Sequence, residues 1–177
     1  EVKNEYILFA VSNESIQGHI ALLEDAGLSP EAIDAPPCAL FRAFERTMRR
    51  HEDHEKTIVF IDVGHSYTSV VFARSAEICF VKQVPIGTGR FDEEVATVLG
   101  INPTDAESLR RKIQRNEAID SVTRRHVVDA LNGVAEQVVG EVSLCMRYYT
   151  VSFRGKRVEQ AIVSGGGAYE QIVLDVV

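Results

Sequence analysis

Three β-rich runs in close succession constrain this chain more than anything else in it. "TIVFID" (57–62), "TSVVFARS" (68–75) and "EICFVKQVPIG" (77–87) are dense in β-branched and aromatic residues and are separated only by short turns. Turns that short leave hairpin pairing as the natural connection, so the three predict an antiparallel meander. Helical patterns follow at 90–99 (Phe91, Val95, Leu99), at 104–115 and at about 121–149. In the last, Val127, Leu131, Val134, Val138, Val142, Cys145 and Tyr149 recur every three or four residues. "VEQAIVSGGGA" (158–168) is then one more strand, closed by three glycines. A meander, a block of helices and a returning strand describe an α/β fold with a mixed sheet and helices packed on it.

Before the meander, "YILFAVS" (6–12) reads as a strand, "ESIQGHIALLEDAG" (14–27) as a helix with Ile16, Ile20 and Leu23 on one face and a stop at Gly27, and "AIDA" (32–35) as a short strand. Together they predict a strand-helix-strand unit. Pro36 and Pro37 close it. Leu40, Phe41, Phe44 and Met48 mark an amphipathic helix that decays into the charged linker "RRHEDHEK". The expected division is residues 1–36 as a partial small subdomain, 37–56 as connecting helix and linker, and 57–177 as the main lobe.

Charge excludes some partners. Of 177 residues, 26 are acidic and 19 basic, and the only basic run is Arg110-Arg111-Lys112. A net charge of −7 argues against nucleic acid and against unassisted contact with an anionic membrane, both of which need basic surfaces. Cys38, Cys79 and Cys145 are odd in number and set among apolar residues, which suits reduced thiols in a cytoplasmic protein. No apolar run approaches the roughly 18–20 residues that span a bilayer. The chain lacks an initiator Met and ends within the apolar "IVLDVV", which reads as an excised portion of a longer protein.

The strand ends carry the residues with chemistry, because open α/β sheets bind ligands there. Asp62 and Gly64 terminate one strand, and Gly165, Gly166 and Gly167 follow another. Asp62-Val-Gly64 is also an ordinary turn sequence, and the triplet also suits a plain loop, though three glycines after "AIVS" favour close approach of another group. Glu107 stands three residues after Thr104, so "TDAE" reads equally as a capping box or as a ligand contact. Arg110 and Arg111 read as a solvated helix face or as a binding face. His51 and His54 have metal-clasp spacing without an evident third ligand, and "HEDHE" reads as a solvated helix end. His65 reads as exposed in the turn.

The segment "VFIDVGHSYTSVVFARSAEICFVKQVPIGTGRFDEEVATVLGI" resembles the second phosphate loop and the following segment of the actin-like ATPase superfamily. "DAESLRR" resembles its adenosine-facing helix, and "AIVSGGGA" its glycine-rich adenosine motif. From about residue 5 to 170 the chain is similar to the C-terminal portion of PilM-type pilus assembly proteins, in the branch that includes the division protein FtsA. The resemblance implies an actin-like (ribonuclease H-like) lobe behind the end of an inserted small subdomain.

It further implies a nucleotide site made by Asp62, Gly64, Thr68, Glu107, Arg110, Arg111, Gly165, Gly166 and Gly167, with Asp62 holding Mg²⁺ through water beside ATP. No catalytic residue is implied. The first phosphate loop of such proteins lies in another subdomain, so this chain supplies half a site: weak ATPase activity at most belongs to a full-length parent, and the portion alone is inactive. The implied partner is the cytoplasmic tail of an inner-membrane pilus or secretion protein, which places the protein at that membrane from the cytoplasmic side, with self-association as a further property. His65, Ser66 and bulky Tyr67 depart from the loop pattern, Tyr67 standing at its hydroxyl position. That departure keeps open the alternative of a secretion scaffold without nucleotide; an FtsA-like division protein is a further alternative that the resemblance allows.

Overall fold

In a computed structural model of the protein, which describes residues 6–45, 56–75, 77–152 and 157–176, the meander forms as its sequence predicts. Strands β1 (Thr57–Val63), β2 (Thr68–Arg74) and β3 (Glu77–Val84) pair antiparallel in succession. The returning strand β4 (Gln160–Ser164) lies parallel to β1, with Ile58 opposite Gln160 and Asp62 opposite Ser164. The sheet order is therefore β3-β2-β1-β4.

Strand alternation sorts the apolar residues onto two faces. Val59, Ile61 and Val63 of β1, with Val70 and Phe72 of β2, join the larger core. Helices α3 (Thr88–Leu99) and α5 (Ser121–Ser152) cover that face, with Phe91, Val95, Val127, Leu131, Val134 and Val138 buried against it. Tyr149 closes it, its ring stacked on Phe72 with centroids 4.6 Å apart. On the opposite face Ile58, Phe60, Val71 and Ala73 meet helix α2 (Pro36–Glu45), where Phe41 meets Phe60 edge-on and Phe44 packs beside it. Helices on both faces explain why β1 and β2 read as continuous apolar runs.

Helix α4 (Pro103–Gln114) packs against α3. Its start corrects the expected "TDAE" box: Asn102 is the N-cap, its side chain accepting from the Asp105 amide at 2.9 Å and donating to the Asp105 carboxylate at 2.7 Å. Pro103 at the first helical position favours this earlier start, and Glu107 is released from capping. A four-residue 3₁₀ turn (Gly166–Tyr169) and the short helix α6 (Gln171–Val176) follow β4.

The expected strand-helix-strand unit forms only its helix. Helix α1 (Asn13–Asp25) starts on Ser12, whose side chain accepts from the Ser15 amide, and is followed by Gly27 in the left-handed region at φ 77°. Residues 6–12 and 32–35 adopt no strand. A strand needs a neighbour to satisfy its backbone, and among the described residues none lies beside these segments. Leu8 is consequently 89% exposed, and α1 buries none of its residues. Met48, His51 and His54 lie outside the described residues.

Candidate nucleotide cleft

The site is built where β1 and β4 end side by side. Ser164 Oγ donates to Asp62 Oδ1 at 2.8 Å, and Oδ2 receives no hydrogen bond from the described residues. The next residue, Gly165, has φ 87° and ψ 178°; a Cβ there would lie 2.5 Å from the Val63 carbonyl oxygen and 2.9 Å from Asp62 Oδ1. Only glycine accepts that backbone and that proximity. Gly167 is glycine for a packing reason, since a Cβ would sit 2.3 Å from Val63 Cγ1. A Cβ on Gly166 would instead meet nothing within 4 Å, so that position faces open space.

The turn after β1 is held by the start of α3. The Gly64 amide donates to the Tyr67 carbonyl, while the Gly64 and His65 carbonyls accept from the Thr88 and Gly89 amides at 2.9 and 2.8 Å. A Cβ on Gly87 would stand 2.4 Å from the His65 carbonyl oxygen, and one on Gly89 would stand 2.9 Å from the His65 ring. "IGTG" is thus a cradle for residues 64–65. Within this turn the Gly64 amide is engaged by the Tyr67 carbonyl, and buried Thr68 donates its hydroxyl to the Ile86 carbonyl at 2.7 Å. Tyr67 is 43% exposed on the turn.

Beside these strand ends lies a cleft of about 660 Å³ whose lining includes His65, Thr88, Glu107, Arg110, Arg111, Arg115, Gly166 and Tyr169. That volume falls within the range of small-molecule sites. Of the expected residues, Glu107, Arg110, Arg111 and Gly166 meet in its wall; Asp62 and Gly165 adjoin it through Gly166, and Gly64 through His65. Glu107 pairs with Arg111, not with Arg110, accepting from Nη2 at 2.7 Å and from Nε at 2.9 Å. The Arg111 hydrogen bond and charge, with smaller contributions from Arg110 and His65, hold the Glu107 carboxyl below its ordinary range.

Arg110 is buried. Its Nε and Nη2 donate to Asp92 at 2.6 and 3.1 Å, and its Nη1 donates to Glu170. One guanidinium thereby ties α4 to α3 and to the start of α6. Burial opposes its charge, but Asp92 and Glu170 keep its pKa above the usual arginine value; burial likewise pushes the Glu170 carboxyl up, against the pull of Arg110. Neither Asp92 nor Glu170 is among the site residues that the sequence implies, although Asp92 lies within the segment that resembles the phosphate-loop region. Cys79 and Cys145 are free thiols, both pushed up by burial.

A hydrated Mg²⁺ needs one or two carboxylates and ligand phosphates instead of a protein cage. Asp62, with one oxygen oriented by Ser164 and the other open to a further partner, fits that requirement. Among the described residues no three His, Cys, Asp or Glu side chains cluster as a protein metal cage. A hollow of about 300 Å³ lined by Glu94, His126 and Asp129 shares no residue with the cleft.

Known proteins share this fold. A family model described as "Type IV pilus assembly protein PilM" matches residues 1–177. No curated protein sequence matches the chain. Among solved structures, the PilM-PilN type IV pilus biogenesis complex aligns with a TM-score of 0.75 at 20% identity, over 92% of this chain and 44% of that one. The ethanolamine utilization protein EutJ of Carboxydothermus hydrogenoformans aligns at 0.63 and 18%, over 93% and 54% of the two chains. MreB 5 of Spiroplasma citri bound to AMPPNP aligns at 0.55 and 12%, over 90% and 55%. These likenesses are of fold, the actin-like ATPase fold, and the chain spans about half the length of the structures it matches.

Proposed function

This chain belongs to the type IV pilus assembly protein PilM family, and from that premise we propose that it supplies one half of an ATP site together with a scaffold surface for the pilus assembly platform. The observation that carries the nucleotide reading is the pairing of Asp62 with Ser164 beside Gly165, at the ends of two adjacent parallel strands, next to a cleft whose lining includes Arg110, Arg111 and Arg115. Guanidinium groups suit the recognition of phosphate oxygens.

In this reading Asp62 would hold Mg²⁺ through water, and the ion would supply charge neutralisation to the ATP phosphates. Gly166 presents bare backbone to the adenosine or an α-phosphate. Glu107 and Arg111 stand at the ribose and base, and Arg110 braces the wall from behind. Residues 57–177 act as the second actin-like lobe, 37–56 as its connecting helix and linker, and 1–36 as the end of a small subdomain. Phosphate contacts from a second lobe complete the site, so this portion alone turns over no ATP.

The partner is the cytoplasmic tail of an inner-membrane pilus protein, in keeping with the PilM-PilN complex whose fold this chain shares. No helix among the described residues is long and apolar enough to cross a membrane; membrane association through that partner, and self-association, are compatible with the same scaffold. The commitment of the Gly64 amide and the Thr68 hydroxyl within the fold favours a second reading, a scaffold that has lost nucleotide binding.

Calorimetric titration of the full-length protein with AMPPNP and Mg²⁺, beside Asp62→Ala, separates the two. The ATP reading expects Mg²⁺-dependent binding that Asp62→Ala abolishes. No binding by the wild type leaves the scaffold.

A further inference from the structure

Behind the cleft wall, Asp92, Arg110 and Glu170 have side chains 9%, 7% and 6% exposed, so two carboxylates and one guanidinium share a space nearly closed to water. Arg110 also lines the cleft. The groups that bear on Glu170 are few. From α3 comes Asp92; from α4 come Arg110 and Arg111. Arg90, Glu93 and Glu94 of α3 pair with one another outside, and Asp175 on α6 accepts from Gln171. Helix α5, against which α6 packs, buries no charged side chain, its buried titratable groups being Cys145 and Tyr149.

With both carboxylates ionised this cluster carries an excess negative charge behind the wall of an anion site. That arrangement opposes the ligand and is itself poorly solvated. The geometry offers a release. Asp92 already engages Arg110 through Nε and Nη2, so its pairing survives without Glu170, whereas Nη1 is held by Glu170. We propose that anion binding in this cleft is coupled to uptake of one proton by Glu170. The proton comes from solvent, Glu170 becomes a neutral acid, the cluster becomes a balanced Arg110–Asp92 pair, and Nη1 is free to donate towards the cleft. This rests on the reading of the cleft as a nucleotide site and adds a regulation to it: the site fills more readily as pH falls.

The test is calorimetry of the full-length protein with AMPPNP and Mg²⁺ from pH 5.5 to 8, in buffers of different ionisation enthalpy so that proton uptake is counted. Comparison of wild type with variants cancels the titration of the ligand itself. Wild-type affinity should rise on acidification, by no more than tenfold per pH unit, the limit for one linked proton. Glu170→Gln should bind more tightly than the wild type at pH 8, with the slope lost. Asp92→Asn, which balances the cluster by the other carboxylate, should flatten the slope as well and stands in if the first variant does not fold. His65→Gln removes the other titratable side chain of the cleft and tests whether the slope comes from it. A slope unchanged in both carboxylate variants, or lost in His65→Gln alone, overturns the coupling while leaving the cleft reading intact. No AMPPNP binding at any pH overturns both.

Discussion

Ser164 Oγ donates to Asp62 Oδ1 at 2.8 Å across 102 residues of chain, joining the ends of β1 and β4 and leaving Oδ2 without a donor among the described residues. Ser164→Ala should therefore leave the fold nearly intact, at a cost of about 1 kcal/mol for one lost hydrogen bond, yet weaken Mg²⁺-dependent AMPPNP binding severalfold because Asp62 loses its orientation. Denaturant melts beside calorimetry check the two halves of this expectation. Equal weakening with and without Mg²⁺ would count against Asp62 as the carboxylate that serves the ion.

The glycine triplet makes a sharper contrast. Gly165→Ala forces a side chain into the Val63 carbonyl at a positive φ, and should destabilise by about 3 kcal/mol. Gly166→Ala meets nothing and should change stability by no more than about 0.5 kcal/mol, while a methyl in the cleft reduces nucleotide affinity. Urea titration of the two variants side by side decides it; equal costs would contradict the geometry.

Removing Arg110 strands two buried carboxylates. Arg110→Met should cost about 3–5 kcal/mol, far more than Arg111→Met, whose pair with Glu107 lies on the surface. Glu170 adds a pH signature. Burial raises its carboxyl pKa in the folded state, so the folded state binds the proton more tightly than the unfolded one does. Its contribution is fully present below the unfolded value of about 4.5 and is lost as pH rises through the folded value. The stability of the wild type relative to Glu170→Gln should accordingly grow as pH falls from 8 towards 4.5 and level off below it, which chemical denaturation at a series of pH values measures.

Tyr67 occupies the position where the phosphate loop pattern has a hydroxyl, but it lies 43% exposed on the turn and outside the lining of the cleft. Tyr67→Thr in the full-length protein should thus shift AMPPNP affinity by no more than about twofold, roughly 0.4 kcal/mol. A rise from undetectable to readily measured binding would instead make the natural protein the scaffold.

How far the sequence discloses these features depends on their range. The meander is local, and its β-branched runs and short turns are read directly from residues 57–87. The parallel return of β4 follows once a sheet with a missing neighbour is recognised. The cluster around Arg110 is different: Asp92 and Glu170 are 18 and 60 residues away, and their convergence is set by how α3, α4 and α6 pack. Thr68 illustrates the opposite limit, since its residue type suits a ligand donor while the Ile86 carbonyl, 18 residues on, takes the hydroxyl. Residues 6–12 carry a strand pattern without a partner strand among the described residues, and pattern alone does not supply one.

The parallel pairing of β4 with β1 also sets an order of events. The hairpins β1-β2 and β2-β3 close over short loops, whereas the β1-β4 ladder must wait for three intervening helices and pays the loop-closure entropy of about a hundred residues. The Asp62–Ser164 pair beside the cleft belongs to that last ladder. A ribosome-bound chain that has emerged only through α5 still lacks Ser164, so the Asp62–Ser164 pair forms late in synthesis, when β4 reaches β1.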